Sequence, residues 1–431
     1  MKKRAENILE KQILKMKPNE KELEIIKNGT DKIILGIEAG LKKKKIKAEV
    51  FVGGSLAKGT LIRKRDYDID IFVRFNDVRE IKNFPEHPKV QRRSQGLFND
   101  KYISEKLSSV IKAERVHGSR DYFRIRKKNI LFEIIPVLKI NKPMEAKNIT
   151  DLSYFHVGYV LGETKKNKKL ADEIMLAKSF CFSQRCYGAE SYVRGFSGYA
   201  LELLISYYKS FMNFIKAIAK EKTPIVLDPG KFYKNKDDVL NQLNESKLQS
   251  PIVFVDPTFK QRNALAALSN ETFEKFKKAC ADFVKKPSEK FFEEKKVNEK
   301  YFNLILEAST DRQEGDIAGS KLLKFSRLFL SKVERYFKIK KSEFDYEGKK
   351  SGKIYIKNER KKEIIYSGPP INKPERLFAF KQAHKKVFIK KGLSFAREKG
   401  VSFREFFAKF LKDNKIVMKE MGIINLRIIK S

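Results

Sequence analysis

The spacing of apolar residues along this chain changes twice, and each change marks a different kind of structure. From the start to about Gly40 the spacing is helical, with Ile8, Ile13 and Leu14, then Leu23, Ile25, Ile26, Ile33, Ile34 and Leu35 set among charges. The pattern then turns strand-like, at 48–53 and 67–75 and again at Tyr122 to Arg126 and Ile130 to Leu138. Lys127-Lys128-Asn129 predicts a hairpin between the last two. Between the strand pairs, the charged, Pro-containing segment Asn76 to Lys101 is expected to cross the surface before a helix near Ser104 to Arg115.

After Asn141 helical spacing returns and holds to about Lys222. A loop rich in Lys, Asp and Asn then leads to a short strand, Pro251 to Val255, which Pro257 ends, and Gln261-Arg262-Asn263 precedes another helix. From about Phe273 helices mix with strand-like Lys353 to Ile356 and Glu363 to Tyr366, and Gly368-Pro369-Pro370 predicts a turn. The alternation predicts an α+β multidomain chain with domains over 1–141, 142–270 and 271–431.

One strand breaks its own pattern. Ile69, Ile71, Phe72 and Val73 build a buried segment, yet Asp68 and Asp70 interrupt it. Alternate residues of a strand share a face, so both carboxylates aim at one point, and a divalent cation such as Mg²⁺ would relieve their repulsion. Upstream, the glycines of Gly53-Gly54-Ser55 let backbone N–H groups approach an anion, and Ser55 adds a hydroxyl donor. Glu133, inside the apolar run Phe132-Glu133-Ile134-Ile135-Pro136, is the natural third carboxylate. Together these pieces suit a metal–triphosphate site.

Charge points to the other partner. The 431 residues carry 94 Lys plus Arg against 54 Asp plus Glu, a net +40 that calls for a polyanion. From Lys321 to Ser431 there are 31 basic and 11 acidic residues, half the excess in about a quarter of the chain, as expected of a segment that holds a phosphate backbone. Phe403, Phe406, Phe407 and Phe410 are spaced as a helix core, not as a base-stacking platform. Three scattered cysteines, Cys181, Cys186 and Cys280, argue for a reducing cytoplasm and against structural zinc. No apolar run approaches a membrane span.

The ordered motifs Cys186-Tyr187-Gly188-Ala189-Glu190, Gly195-Phe196-Ser197-Gly198-Tyr199 and the run from Val255 to Ser269, with the Gly-Ser and Asp-x-Asp elements, resemble the archaeal class I CCA-adding enzymes. These are tRNA nucleotidyltransferases of the polymerase-β superfamily. The resemblance implies a polymerase-β-like palm, a helical central domain and a basic α+β RNA-binding domain. It implies that Gly54 and Ser55 hold the nucleotide phosphates with help from Lys58, that His156, Lys178 and Tyr187 contact the triphosphate, and that Arg262 reads the incoming base. Asp68, Asp70 and Glu133 would be the catalytic, metal-binding carboxylates. Glu133 stands where the family usually has Asp, Leu61 replaces a common aromatic, and the tail diverges.

The implied reaction is attack by the tRNA 3′-hydroxyl on the α-phosphate of CTP or ATP, with two Mg²⁺ ions at the site and pyrophosphate released. The implied partner is tRNA, gripped at its acceptor stem and TΨC arm by the basic tail. No membrane partner is expected, and the oligomeric state is left open, a homodimer included. Two other readings share some of these features. A poly(A)- or oligoadenylate-type transferase shares the Gly-Ser and Asp-x-Asp elements, and a tRNA-binding protein with a lapsed transferase site would share the basic charge.

Overall fold

The computed structural model describes residues 2–64, 66–76, 113–116 and 120–431. The chain divides into two compact units, one ending at Lys295 and the other beginning at Lys296. The predicted crossing segment, from residue 77 on, and most of the predicted helix near Ser104 lie outside the described residues.

The helical start is two helices, α1 (Lys2–Met16) and α2 (Glu20–Lys43). Pro18 lies in the break, and Asn19 re-caps the chain: its side chain accepts from Glu22 N at 2.8 Å while the Glu22 carboxylate accepts from Asn19 N at 2.8 Å. A cap of this kind contributes about 1 kcal/mol.

Next come β1 (Ala48–Val52), the single turn α3 (Gly54–Ala57), β2 (Tyr67–Phe75), β3 (Ala113–Val116), β4 (Tyr122–Lys127) and β5 (Ile130–Leu138). Among the described residues these strands form one sheet in the order β1-β2-β5-β4-β3. The end of the predicted Ser104 to Arg115 helix is therefore a correction: Ala113 to Arg115 pair with β4 as an edge strand. Sheet pairing overrides a short helical pattern there. The β4–β5 hairpin forms as expected, and β2 runs parallel to β5. Ile69, Ile71, Val73, Phe132 and Ile134 pack with Ile26, Ile33 and Ile37 of α2 in one core. Strand alternation sends Asp68, Asp70 and Glu133 to the other face.

The helical stretch is α4 (Ser153–Lys166), α5 (Leu170–Ser183), α6 (Gly198–Tyr208) and α7 (Phe211–Lys220), followed later by α8 (Asn270–Lys285). Phe180, Phe196, Phe211, Phe214, Phe276 and Phe283 fill their shared core, which Leu9 and Met16 of α1 join. Cys186 to Phe196 is an exception to the helical expectation: it is a loop in which Tyr187 bridges to Phe196. A small sheet joins β6 (Ile225–Leu227), β7 (Ile252–Asp256) and β8 (Phe259–Asn263), so Arg262 sits on a strand before the turn that leads to α8.

In the second unit, β9 (Leu304–Thr310), β10 (Phe337–Tyr346), β11 (Ser351–Arg360) and β15 (Ile423–Lys430) form a sheet in the order β10-β11-β9-β15. The helices α9 (Asp316–Tyr336) and α11 (Phe403–Asp413) cover it, with Phe325, Phe329, Phe406 and Phe410 in the core, as the aromatic spacing predicted. A second sheet pairs β12 (Glu363–Pro370), β14 (Leu393–Lys399) and β13 (Val387–Lys390), with the helix α10 (Pro374–Ala383) following β12. Gly368-Pro369-Pro370 is thus the end of a strand and not the predicted turn. The prolines are tolerated because β12 is an edge, where a missing N–H donor breaks no ladder on the outer side.

Candidate active site

The carboxylates meet through strand register. Asp70 stands opposite Glu133 on the neighbouring parallel strand, and Asp68 lies two residues back on the same face. Glu133 in turn faces Arg124 of β4, whose Nε donates to Glu133 Oε1 at 2.9 Å. A second guanidinium nitrogen of Arg124 donates to the Tyr122 hydroxyl at 2.7 Å. Asp68 is half out of the protein, its side chain 56% exposed, with Lys64 Nζ 3.9 Å from its Oδ2.

Electrostatics single out Asp70. Burial first, then the neighbouring Glu133, pushes its pKa up to about 7, with Lys58 opposing. Burial also raises Glu133, against the pull of Arg124. Among the described residues no three metal-ligating side chains are already gathered into a closed cluster. Even so, the donors fit a hard divalent ion: all are carboxylate oxygens on one face, and Asp70 carries an electrostatic deficit that such an ion would relieve.

Glycine is needed beside them for a steric reason. Gly54 has φ +57°, and a Cβ there would come within 1.8 Å of Asp70 Oδ2. Gly53 N donates to the Asp70 carbonyl at 2.9 Å, tying this turn to β2. The turn and the strand open on a cavity of about 250 Å³. Its lining brings together Gly54, Ser55, Lys58, Asp68, Asp70, Lys178 and Tyr187, seven of the ten residues singled out in the sequence. Glu133 is on the adjacent strand, and His156 and Arg262 are not in the lining.

A buried residue absent from the sequence reading ties the two predicted lysines together. Glu202 of α6 accepts from Lys58 Nζ at 2.6 Å and from Lys178 Nζ at 2.7 Å. Burial opposes its charge, but Lys178 and Lys58 outweigh burial and hold its carboxyl down to about 2. An acid inside Tyr-Ala-Leu-Glu-Leu-Leu-Ile, an otherwise apolar helix, was the available signal.

His156 and Arg262 meet at a second buried acid, Asp256, which ends β7. Arg262 donates to Asp256 Oδ2 at 2.5 Å, and the Tyr199 hydroxyl donates to Oδ1 at 3.0 Å. His156 Nε2 lies 3.4 Å from Oδ2 without a hydrogen bond among the described residues, and its ring stacks on Tyr199 at 4.0 Å. Burial opposes the charge on Asp256, while His156 and Arg262 hold its carboxyl below the ordinary range. Of these two, Arg262 is the permanent cation, since burial lowers the His156 pKa. Tyr199 lines the cavity, so it links this cluster to the carboxylate side.

A sheet carrying paired acids beside a Gly-Ser turn, with helices behind it, is the fold of the polymerase-β-like nucleotidyltransferases. Residues 36–150 match the family model described as a nucleotidyltransferase domain, and residues 172–293 match that of the tRNA nucleotidyltransferase second domain. A solved structure of Cid1, described for its RNA terminal uridylyl transferase activity, shares the fold: TM-score 0.51, 12% identity, over 68% of this chain and 98% of that one. A cytoplasmic RNA terminal U-transferase is similar, with TM-score 0.50, 13% identity, 68% of this chain and 100% of that one.

The sequence relatives are narrower. The CCA-adding enzyme of Nanoarchaeum equitans is 34% identical over 354 residues, 79% of this chain and 81% of that protein. That of Saccharolobus shibatae is 30% identical, over 77% of this chain and 72% of that protein. The match to the Methanosarcina mazei enzyme, 31% identical, spans 64% of this chain and 56% of that protein. The chain belongs to the CCA-adding enzymes, the tRNA nucleotidyltransferases.

Proposed function

We propose that the protein adds C, C and A to the 3′ end of tRNA from CTP and ATP, without a nucleic-acid template. Family membership supports the reaction, and the register that sets Asp70 against Glu133 beside a Gly-Ser turn is the observation that carries it to this site. In the transfer a bond forms between the tRNA 3′-oxygen and the α-phosphorus, and the bond to pyrophosphate breaks. Asp68, Asp70 and Glu133 would hold Mg²⁺, two ions with nucleotide bound, whose chemistry is to acidify the attacking hydroxyl and neutralise charge on the leaving pyrophosphate.

The remaining roles belong to the chain itself. Gly54 leaves room for the phosphates and keeps Asp70 in place, and Ser55 adds a donor. Lys58, Lys178 and Tyr187 on the cavity wall orient and neutralise the triphosphate, with His156 joining them through Tyr199. Arg124 fixes the rotamer of Glu133 on the attacking side. Arg262, anchored by Asp256, reads the base edge, and a wrong base would leave its buried donors unpaired. The basic second unit holds the acceptor stem and TΨC arm through their phosphates. We place this activity on tRNA in the cytoplasm. Among the described residues no helix is long and apolar enough to cross a membrane.

Extension of a tRNA transcript lacking its 3′ CCA tests the reading. With Mg²⁺, CTP and ATP, the product gains two C and one A and stops. Open-ended A tails would favour the poly(A)-type reading, and tight tRNA binding without extension would favour a lapsed site.

A further inference from the structure

Glu202 stands in the apolar core yet faces the cavity. Its neighbours Leu201, Leu203, Leu204 and Ile205 are buried core residues, and Glu202 itself is 1% exposed. A carboxylate buried there is costly unless fully partnered. Its partners come from separate parts of the chain: Lys58 and Thr60 from the segment after α3, and Lys178 from α5. Thr60 Oγ1 donates to Glu202 Oε1 at 3.1 Å and accepts from Lys178 Nζ at 2.8 Å, which closes the network. Lys178 also reaches the Thr60 carbonyl at 3.4 Å. All four residues line the cavity.

Stability does not account for such a network. Buried ion pairs are commonly no more stabilising than apolar residues of the same volume, and this helix is otherwise apolar. The arrangement leaves two cations for one anion, with a surplus positive charge at the wall where the Gly-Ser turn opens.

We propose that Glu202 is a positioning residue for the nucleotide: it clamps Lys58 and Lys178 at a fixed separation, so that they meet the triphosphate preorganised. Without it, the two lysines would lose the carboxylate they share, and burial would favour loss of the Lys178 proton. Burial already lowers the Lys178 pKa, and Lys58 adds to the effect. The other charged or titratable groups lining this cavity are Lys64, Tyr67, Asp68, Asp70, Tyr187 and Tyr199. This inference rests on the cavity's assignment to nucleotide.

The test is calorimetric binding of CTP and of ATP, each with Mg²⁺, to the wild-type full chain and to Glu202→Gln, at pH 6.5, 7.5 and 9. Expected is a loss of about tenfold in affinity for both nucleotides at pH 6.5 that widens toward pH 9. The wild type should gain affinity as Asp70 ionises through about pH 7 and stay nearly flat from pH 7.5 to 9, so the loss is read as the ratio of variant to wild type at each pH, and tRNA affinity should be unchanged. Equal nucleotide affinity in wild type and variant would overturn the proposal, as would a loss of tRNA and nucleotide binding in the same proportion. Should Glu202→Gln fail to fold, Thr60→Val removes only the hydroxyl that closes the network. A severalfold loss of nucleotide affinity supports the proposal there, and no loss sinks it. Binding is read apart from turnover, so a wild type that binds CTP and ATP but does not extend tRNA would refute the CCA-adding reading and leave the role of Glu202 standing.

Discussion

Asp70 and Glu133 face each other in register across two parallel strands, each buried far enough that its carboxyl resists ionising. This pairing stores electrostatic repulsion where a cation and a triphosphate are to be received.

Replacing Asp70 with Asn keeps its shape and removes its charge. Transfer should fall by at least about a thousandfold while tRNA affinity changes less than about threefold, because the two-metal chemistry depends on the charge and backbone contacts to RNA do not. Primer-extension rates and filter binding on the same preparation measure both. Substantial residual transfer would place the metal site elsewhere.

The same carboxyl makes stability depend on pH. Its folded pKa, about 7, lies above the ordinary 3.8, so the folded state binds its proton more tightly than the unfolded chain does. The stabilising contribution is complete below about pH 4 and is lost as pH rises through about 7. In metal-free buffer at pH 8, Asp70→Asn should therefore melt a few degrees above wild type, and the gap should close toward pH 4. Mg²⁺ should raise the wild-type Tm at pH 8 and leave the variant's unchanged. A variant that melts below wild type at pH 8 would contradict the assignment.

Asp256 holds Arg262 by a 2.5 Å hydrogen bond and meets Tyr199 on its other oxygen. Asp256→Asn should loosen Arg262 and relax base choice, raising incorporation of U or G relative to C and A by about tenfold or more, with a smaller effect on the rate with CTP. Competition assays with mixed nucleotides read the ratio. Unchanged discrimination would remove Arg262 from base recognition.

The apolar clusters of each unit are self-contained, those of the first ending at Phe292 and those of the second beginning at Val297. A protein ending at Lys295 should keep its first core while losing the most basic part of the chain. Its tRNA affinity should drop and the dependence of log K on log salt should flatten, by roughly 0.7–0.9 for each phosphate that the shortened protein no longer neutralises. An intact slope would mean that the tail's charge serves another purpose.

Much of the site could be read in the sequence because its rules are local. Strand alternation puts Asp68 and Asp70 on one face wherever the strand lies, and a left-handed turn against a carboxylate demands glycine at 54. Breaks and edges were harder. Pro18 split a continuous helical pattern, and Ala113 to Arg115 became strand because β4 offered a partner.

What only the tertiary structure decided is which distant residues share a charge. The predicted hairpin sets Arg124 opposite Glu133, but no local pattern gives both Lys58 and Lys178 to Glu202 or gathers His156 and Arg262 at Asp256. Hydrophobic periodicity chooses the buried face of each element by itself. A buried charge instead takes its partners from whatever segments the packing brings within hydrogen-bond reach, and that depends on the whole fold.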